Sequence, residues 1–200
     1  MSDLEKVEQS RLASGRSCGP CSLCCKLLPI FGLPKPKPRG QWCPHCKPGR
    51  GGCVIYESRP EECRIFYCGW LMGHLPPEWY PQHSKMVVAF YPRPFGVGSD
   101  CLVTVDPAYA GRWREEPYYS QIKQNAVSWL TSNTRTFVRI GTQVIAVFPS
   151  SDVDLGEVEM DKPLPADRAA AMQAALEREM QNKNAASRVS TGWQSGSDLR

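Results

Sequence analysis

Between Cys18 and Cys68 the chain places nine of its ten cysteines, in the blocks CGPCSLCC, WCPHC and GGCVIYESRPEECRIFYC. A two-residue spacer lets both sulfurs of one tight turn face a common point, and a few such turns can surround a zinc ion or an iron–sulfur cluster. Such a stretch is organised by its thiols rather than by long regular elements. Many of the 18 prolines and 16 glycines fall in this half of the chain, which favours turns and loops. Only Cys101 lies outside the cluster.

Whether these thiols hold metal or pair with one another depends on the compartment. Residues 1–17 lack the continuous apolar run of a secretory signal, and no stretch of about 18 apolar residues that could span a bilayer occurs. The expectation is therefore a cytoplasmic protein with no membrane partner. In a reducing compartment structural disulfides do not persist, so dense cysteines point to metal, with disulfides after export and incidental free thiols as the competing readings. Candidate ligands are Cys18, Cys21, Cys24, Cys25, Cys43, Cys46, Cys53, Cys63 and Cys68. Neighbouring Cys24 and Cys25 point in different directions, so they either serve different metals or only one of them is a ligand. His45 sits inside the third CxxC, where the flanking sulfurs are the better ligands.

The net charge is +4, but from Lys26 to Arg50 six basic residues occur with no acid. Nucleic-acid attraction is one account. Neutralisation of a metal–thiolate centre, which carries about two negative charges with four thiolates, is the simpler one. Because no aromatic-interleaved recognition helix accompanies the charge, nucleic acid is not the expected partner. Residues 26–40 (KLLPIFGLPKPKPRG) read as an extended spacer whose apolar part, Leu27, Leu28, Ile30 and Phe31, covers the cluster.

The combination CxxCxxCC, then CxxC, then CxIYExRPxxCRxFxC resembles the YkgJ-type cysteine-cluster family over residues 17–72. Ile55, Tyr56, Arg59, Pro60, Cys63, Arg64 and Phe66 stand where that family's pattern puts them. The resemblance implies a bacterial protein that chelates zinc or iron, and it brings no agreed reaction. A relative of the same domain is present in flagellin lysine methylases, which supplies an enzyme alternative, although nothing else here resembles that longer chain. Arg59 and Arg64 are candidates to hydrogen-bond ligand sulfurs or carbonyls around the metal; ion pairs with Glu57, Glu61 or Glu62 are the alternative. Pro60 is expected to open a short helix through Phe66.

Beyond Leu71 the texture becomes that of an ordinary α+β fold, a small antiparallel sheet with two flanking helices. Short β-branched and aromatic runs predict strands at Lys85–Tyr91, Cys101–Asp106, Thr136–Ile140 and Gln143–Phe148, the last two joined at Gly141–Thr142. Helical periodicity marks 117–130 and the alanine-rich 165–183. The expected organisation is an N-terminal arm (1–17), a single metal-binding domain (18–183, with the cysteine cluster at 18–72 and the sheet and helices at 84–183) and a disordered tail (184–200). There is no phosphate loop, HExxH or nucleophile elbow. His74 and His83 are read as fillers, and Cys101 as a small buried hydrophobe. The expected function is metal binding with a structural or metal-handling role. The alternatives are an iron–sulfur protein serving redox chemistry or a methylase-like enzyme, and then a zinc-dependent nucleic-acid binder.

Overall fold

The structure, a computed structural model, describes residues 12–48, 52–93, 97–159 and 162–192, with side chains to residue 184. Residues 1–11 of the expected arm and 193–200 of the expected tail, with Trp193, lie outside the described residues. The fold is α+β. Its framework is a five-stranded sheet of β3 (Met86–Pro92), β4 (Ser99–Val105), β5 (Thr134–Ile140), β6 (Gln143–Val147) and β7 (Asp152–Glu157), arranged in that order. Ahead of it lie helix α1 (Leu23–Leu27), a two-stranded ribbon of β1 (Cys46–Lys47) and β2 (Gly52–Cys53), helix α2 (Glu61–Ile65) and helix α3 (Pro81–Ser84). Helix α4 (Tyr118–Thr131) joins β4 to β5, and helix α5 (Ala166–Gly192) closes the chain.

Each strand alternates its side chains between two faces. Met86, Val88, Val103, Val105 and Val138 pack with Trp79, Trp113, Tyr118 and Ile122, so α4 and the loop before it cover one face. On the other face, Val144, Ala146 and Leu155 receive Ala175, Met172 and Leu176 of α5. At the β3 end of that second face Val87 packs with Leu23, Leu27, Cys68 and Leu71, which seats the cysteine lobe on the sheet. The register places Val87, Thr104, Arg139 and Val144 side by side across the four strands, which puts the lobe and α5 on the same face.

Two sequence expectations need correction. The sheet is mixed rather than antiparallel: β4 and β5 run parallel, from Ser99↔Thr134 to Val105↔Ile140. Parallel neighbours require a long crossover, and α4 lies in that connection, whereas short loops join only antiparallel strands. The sheet also has a fifth strand, β7, that no sequence pattern marks, because DVDLGE carries two aspartates and a glycine, residues depleted in strands; it is tolerated at an edge, with a bulge at Val144/Ile145. The last helix continues beyond Lys183 to Gly192 rather than giving way to an irregular tail. The hairpin at Gly141–Thr142 stands as expected, with Gly141 at φ +61, where a glycine has no Cβ to clash. Residues 12–17 form no helix; Ala13 N donates to Leu71 O at 2.9 Å and Arg16 donates to Leu75 O at 2.8 Å, tying the segment to the lobe.

Candidate metal centre

Two CxxC turns are built alike. Cys21 N donates to Cys18 O at 2.9 Å and Cys46 N donates to Cys43 O at 3.0 Å, so each turn is closed by the same i→i+3 bond and projects both sulfurs to one side. Gly19, at φ +49, supplies the left-handed residue that the first turn requires. Between these turns, α1 carries Cys24 and Cys25. Cys43 N donates to Cys25 O at 2.9 Å, which draws the second turn against α1. The ribbon sets Cys53 directly opposite Cys46. Cys63 lies on α2, and Cys68 lies buried just beyond it.

The packing sorts the thiols into two groups. Cys21, Cys24 and Cys68 share one apolar cluster with Leu23, Leu27, Leu71 and Val87. Cys25, Cys43, Cys46 and Cys63 share another with Ile30, Leu33 and Ile55. Cys18 belongs beside the first group, since it interacts with Cys68 and Cys21 across its turn; the Tyr80 hydroxyl holds its carbonyl at 3.0 Å. Consecutive helical positions lie about 100° apart; Cys24 and Cys25 accordingly pack in different apolar clusters, while their thiols still meet in a hydrogen bond. Cys53 is near Cys63 but outside both apolar clusters. All ten cysteines are free thiols. Among the described residues no group of three or more His, Cys, Asp or Glu side chains is drawn tightly enough to hold a metal ion. The sulfurs are thus gathered into two neighbourhoods rather than converged on a point.

Their electrostatics follow from crowding and burial. Burial pushes Cys18 up to about 11, with Cys68 and Cys21 adding to the rise and the Arg59 charge opposing it. Burial likewise raises Cys21 and Cys68. Cys24 is held well above the usual thiol value, first because it hydrogen-bonds Cys25 and then by burial. The same bond lowers Cys25 to about 6, helped by a hydrogen bond from Cys46 and by Lys37. Burial brings Cys46 and Cys63 up to about 11, each with Cys25 adding. One thiolate among thiols is thus favoured in the second group, at Cys25.

Residues that the spacing did not single out complete the surroundings. Lys37, only 4 % exposed, donates to Lys26 O at 3.1 Å and Gln41 O at 2.7 Å; burial lowers its pKa against the pull of Cys43 and Cys25. It is the nearest form of the charge compensation expected from the basic run. Ser22 is buried and its side chain hydrogen-bonds Cys46. The only sequence signal for Lys37 was a lysine inside an apolar-proline run. Lys26 instead pairs with Asp106 of the sheet half at 2.7 Å. Arg59 stacks over Tyr56 at 3.8 Å rather than pairing with Glu57, Glu61 or Glu62. Arg64 is exposed and makes no ion pair with a described residue. Leu27 and Ile30 cover the lobe as expected, but Phe31 is 61 % exposed and does not. His74 and His83 contact Phe90 and Tyr80 edge-on, and Cys101 is fully buried in the sheet core.

No family model, curated protein or solved structure matches the chain. Among the described residues no helix is long and apolar enough to cross a membrane.

Proposed function

We propose that this chain is a metal–thiolate protein that binds zinc or iron, the latter as an ion or an iron–sulfur cluster, with a structural or metal-handling role. The observation that carries the reading is the meeting of Cys25, Cys43, Cys46 and Cys63 from three separate stretches of sequence in one small cluster. Apolar packing alone would favour Leu or Val at these places, whereas soft thiolates are what zinc and iron–sulfur clusters select. The resemblance to the YkgJ-type cluster points the same way. In this reading Cys18, Cys21, Cys24, Cys25, Cys43, Cys46, Cys63 and Cys68 supply ligands, with Cys53 adjacent. Lys37 offsets thiolate charge, Arg59 lies near enough to Cys18 to do the same there, and Leu23, Leu27, Ile30 and Leu33 keep water from the sulfurs. A bound metal supplies the folding free energy that this lobe's thin core does not.

The test is elemental analysis of protein purified without oxygen from cells given both metals. Stoichiometric zinc without colour supports a structural or zinc-handling role, and iron with sulfide and visible charge-transfer absorption supports an electron-transfer or enzymatic one. A metal-free protein whose cysteines are paired as disulfides would overturn the proposal.

A further inference from the structure

We propose that the lobe holds two separate metal centres of different lability: a closed centre of Cys18, Cys21, Cys24 and Cys68, and an exchangeable centre of Cys25, Cys43, Cys46 and Cys63 that gives up and takes back its metal while the rest of the protein stays folded. This rests on the metal–thiolate reading above.

The two sets are built to one plan. Each has a CxxC turn closed by the same backbone bond, one cysteine from α1, and one from the 63–68 segment. Each therefore supplies four thiolates, the number a tetrahedral site takes. The division falls between Cys24 and Cys25, whose thiols hydrogen-bond each other yet pack in different apolar clusters. Cys24 packs with Cys68 and Cys21, and Cys25 with Cys43, Cys46 and Cys63.

Their anchoring differs. The closed set shares its apolar cluster with Val87 of β3, which is 1 % exposed. Beside Cys68, Gly69 N donates to Val88 O at 2.7 Å, and Ala13 N donates to Leu71 O at 2.9 Å. Opening that cluster means parting Cys68 and Leu27 from Val87 of the sheet, although Cys18 itself lies exposed at its edge. Among the described residues, the exchangeable set's apolar cluster draws its members only from the lobe itself, between Cys25 and Cys63. Nearby, Phe31, Trp42, Val54 and Ile65 are 61, 41, 54 and 60 % exposed, so no other described part of the protein covers them. Local opening costs least where few buried contacts must break. Cys53, opposite Cys46 yet outside the set's apolar cluster, is placed to act as the transient thiolate in exchange. One metal–sulfur bond forms as another breaks, and no electron moves.

The test uses the full chain, purified without oxygen and loaded with zinc, and challenged with excess 4-(2-pyridylazo)resorcinol. We expect two zinc equivalents per chain, one released at least tenfold faster than the other. Cys43→Ser is expected to abolish the fast equivalent while leaving the slow one and the near-ultraviolet circular dichroism of the sheet core intact. Cys53→Ser is expected to keep both equivalents and slow only the fast phase. Cys18→Ser, at an exposed position, is expected to remove the slow phase. A single equivalent, a single phase, or loss of both equivalents in Cys43→Ser would overturn the division while leaving metal binding in place; so would loss of an equivalent in Cys53→Ser. Failure of the wild-type chain to bind zinc would remove the metal–thiolate reading and this inference with it.

Discussion

The sheet half and the cysteine half of this protein are stabilised by different means. Around the sheet, Trp79, Met86, Val103, Val105, Trp113, Ile122 and Val138 are each no more than 1 % exposed, an apolar core of the usual kind. In the cysteine half, α2 has no buried residue at all, and the buried leucines and isoleucine are Leu23, Leu27, Ile30 and Leu33 at α1 and its flanks, with Leu71. One half is held by area removed from water, and the other buries less apolar surface, which is where the proposed ligation would act. The largest effect should therefore come from stripping the metal. A structural zinc site contributes on the order of 10 kcal/mol of folding free energy, all of it in one half. Complete demetallation is expected to erase amide protection in residues 18–68 and leave it in the sheet strands. Unchanged protection in residues 18–68 would show that the lobe folds on apolar packing alone.

The reverse experiment perturbs the other half. Ile122 of α4 is 1 % exposed in the sheet core, and truncating such a residue to alanine costs about 4 kcal/mol through lost transfer energy and a cavity. Ile122→Ala is expected to lower the free energy of denaturant unfolding of the sheet by that amount while metal content per folded chain stays the same. Metal loss in step with sheet stability would show the halves to be one cooperative unit.

What could be read from the sequence divides along the same line. The four strands at Lys85–Tyr91, Cys101–Asp106, Thr136–Ile140 and Gln143–Phe148 were legible because β-branched runs bounded by Gly and Pro have few other uses. Polar β7 was not, since an edge strand needs only one buried residue, here Leu155. Parallel pairing of β4 and β5 depends on where α4 crosses, which no local pattern encodes. In the lobe, the nine candidate cysteines were legible as a set, and the divergence of Cys24 and Cys25 followed from adjacency. Their partition into two groups was not legible. It depends on Cys43 N reaching Cys25 O and on Cys68 meeting Val87, contacts between residues far apart in the chain.

Acidity sharpens the comparison inside the lobe. With no metal bound, Cys46 and Cys63 of the proposed exchangeable centre are raised to about 11 and its Cys25 lowered to about 6. At pH 7, zinc entering that centre must displace protons from Cys46 and Cys63 and none from Cys25. Affinity is then expected to fall about 100-fold per pH unit on acidification from those two protons alone, and more steeply below about pH 6, where Cys25 also takes a proton. For stability without that metal the signs are opposite in two windows. The contributions of Cys46 and Cys63 are full below 9.0 and lost as pH rises towards about 11; that of Cys25 is full above 9.0 and lost as pH falls through about 6. Calorimetry in buffers of different ionisation enthalpy counts the protons, and release of a full four per zinc at pH 7 would contradict the assignment of Cys25 as the resident thiolate.

The smallest effect we expect is at the contact that joins the halves. Lys26 follows Cys25 on α1, and its ammonium meets both oxygens of Asp106, at 2.8 and 2.7 Å, just past the end of β4. The Asp106 side chain is 6 % exposed and that of Lys26 is 20 %, so the pair is largely removed from water. Lys26→Met keeps the aliphatic stem and deletes the charge, leaving a buried carboxylate without its cation. Loss of a partner from a buried pair costs about 3–5 kcal/mol. Here Ala108 N still donates to Asp106 at 3.1 Å, so we expect less, about 2 kcal/mol. That loss should vanish in the double variant Lys26→Met/Asp106→Asn, which removes the stranded charge. If the double variant is as unstable as the single one, the stranded charge is not the cause, and the halves are joined by the apolar contact of Val87 with Leu27 and Cys68 and by the Gly69 N–Val88 O bond.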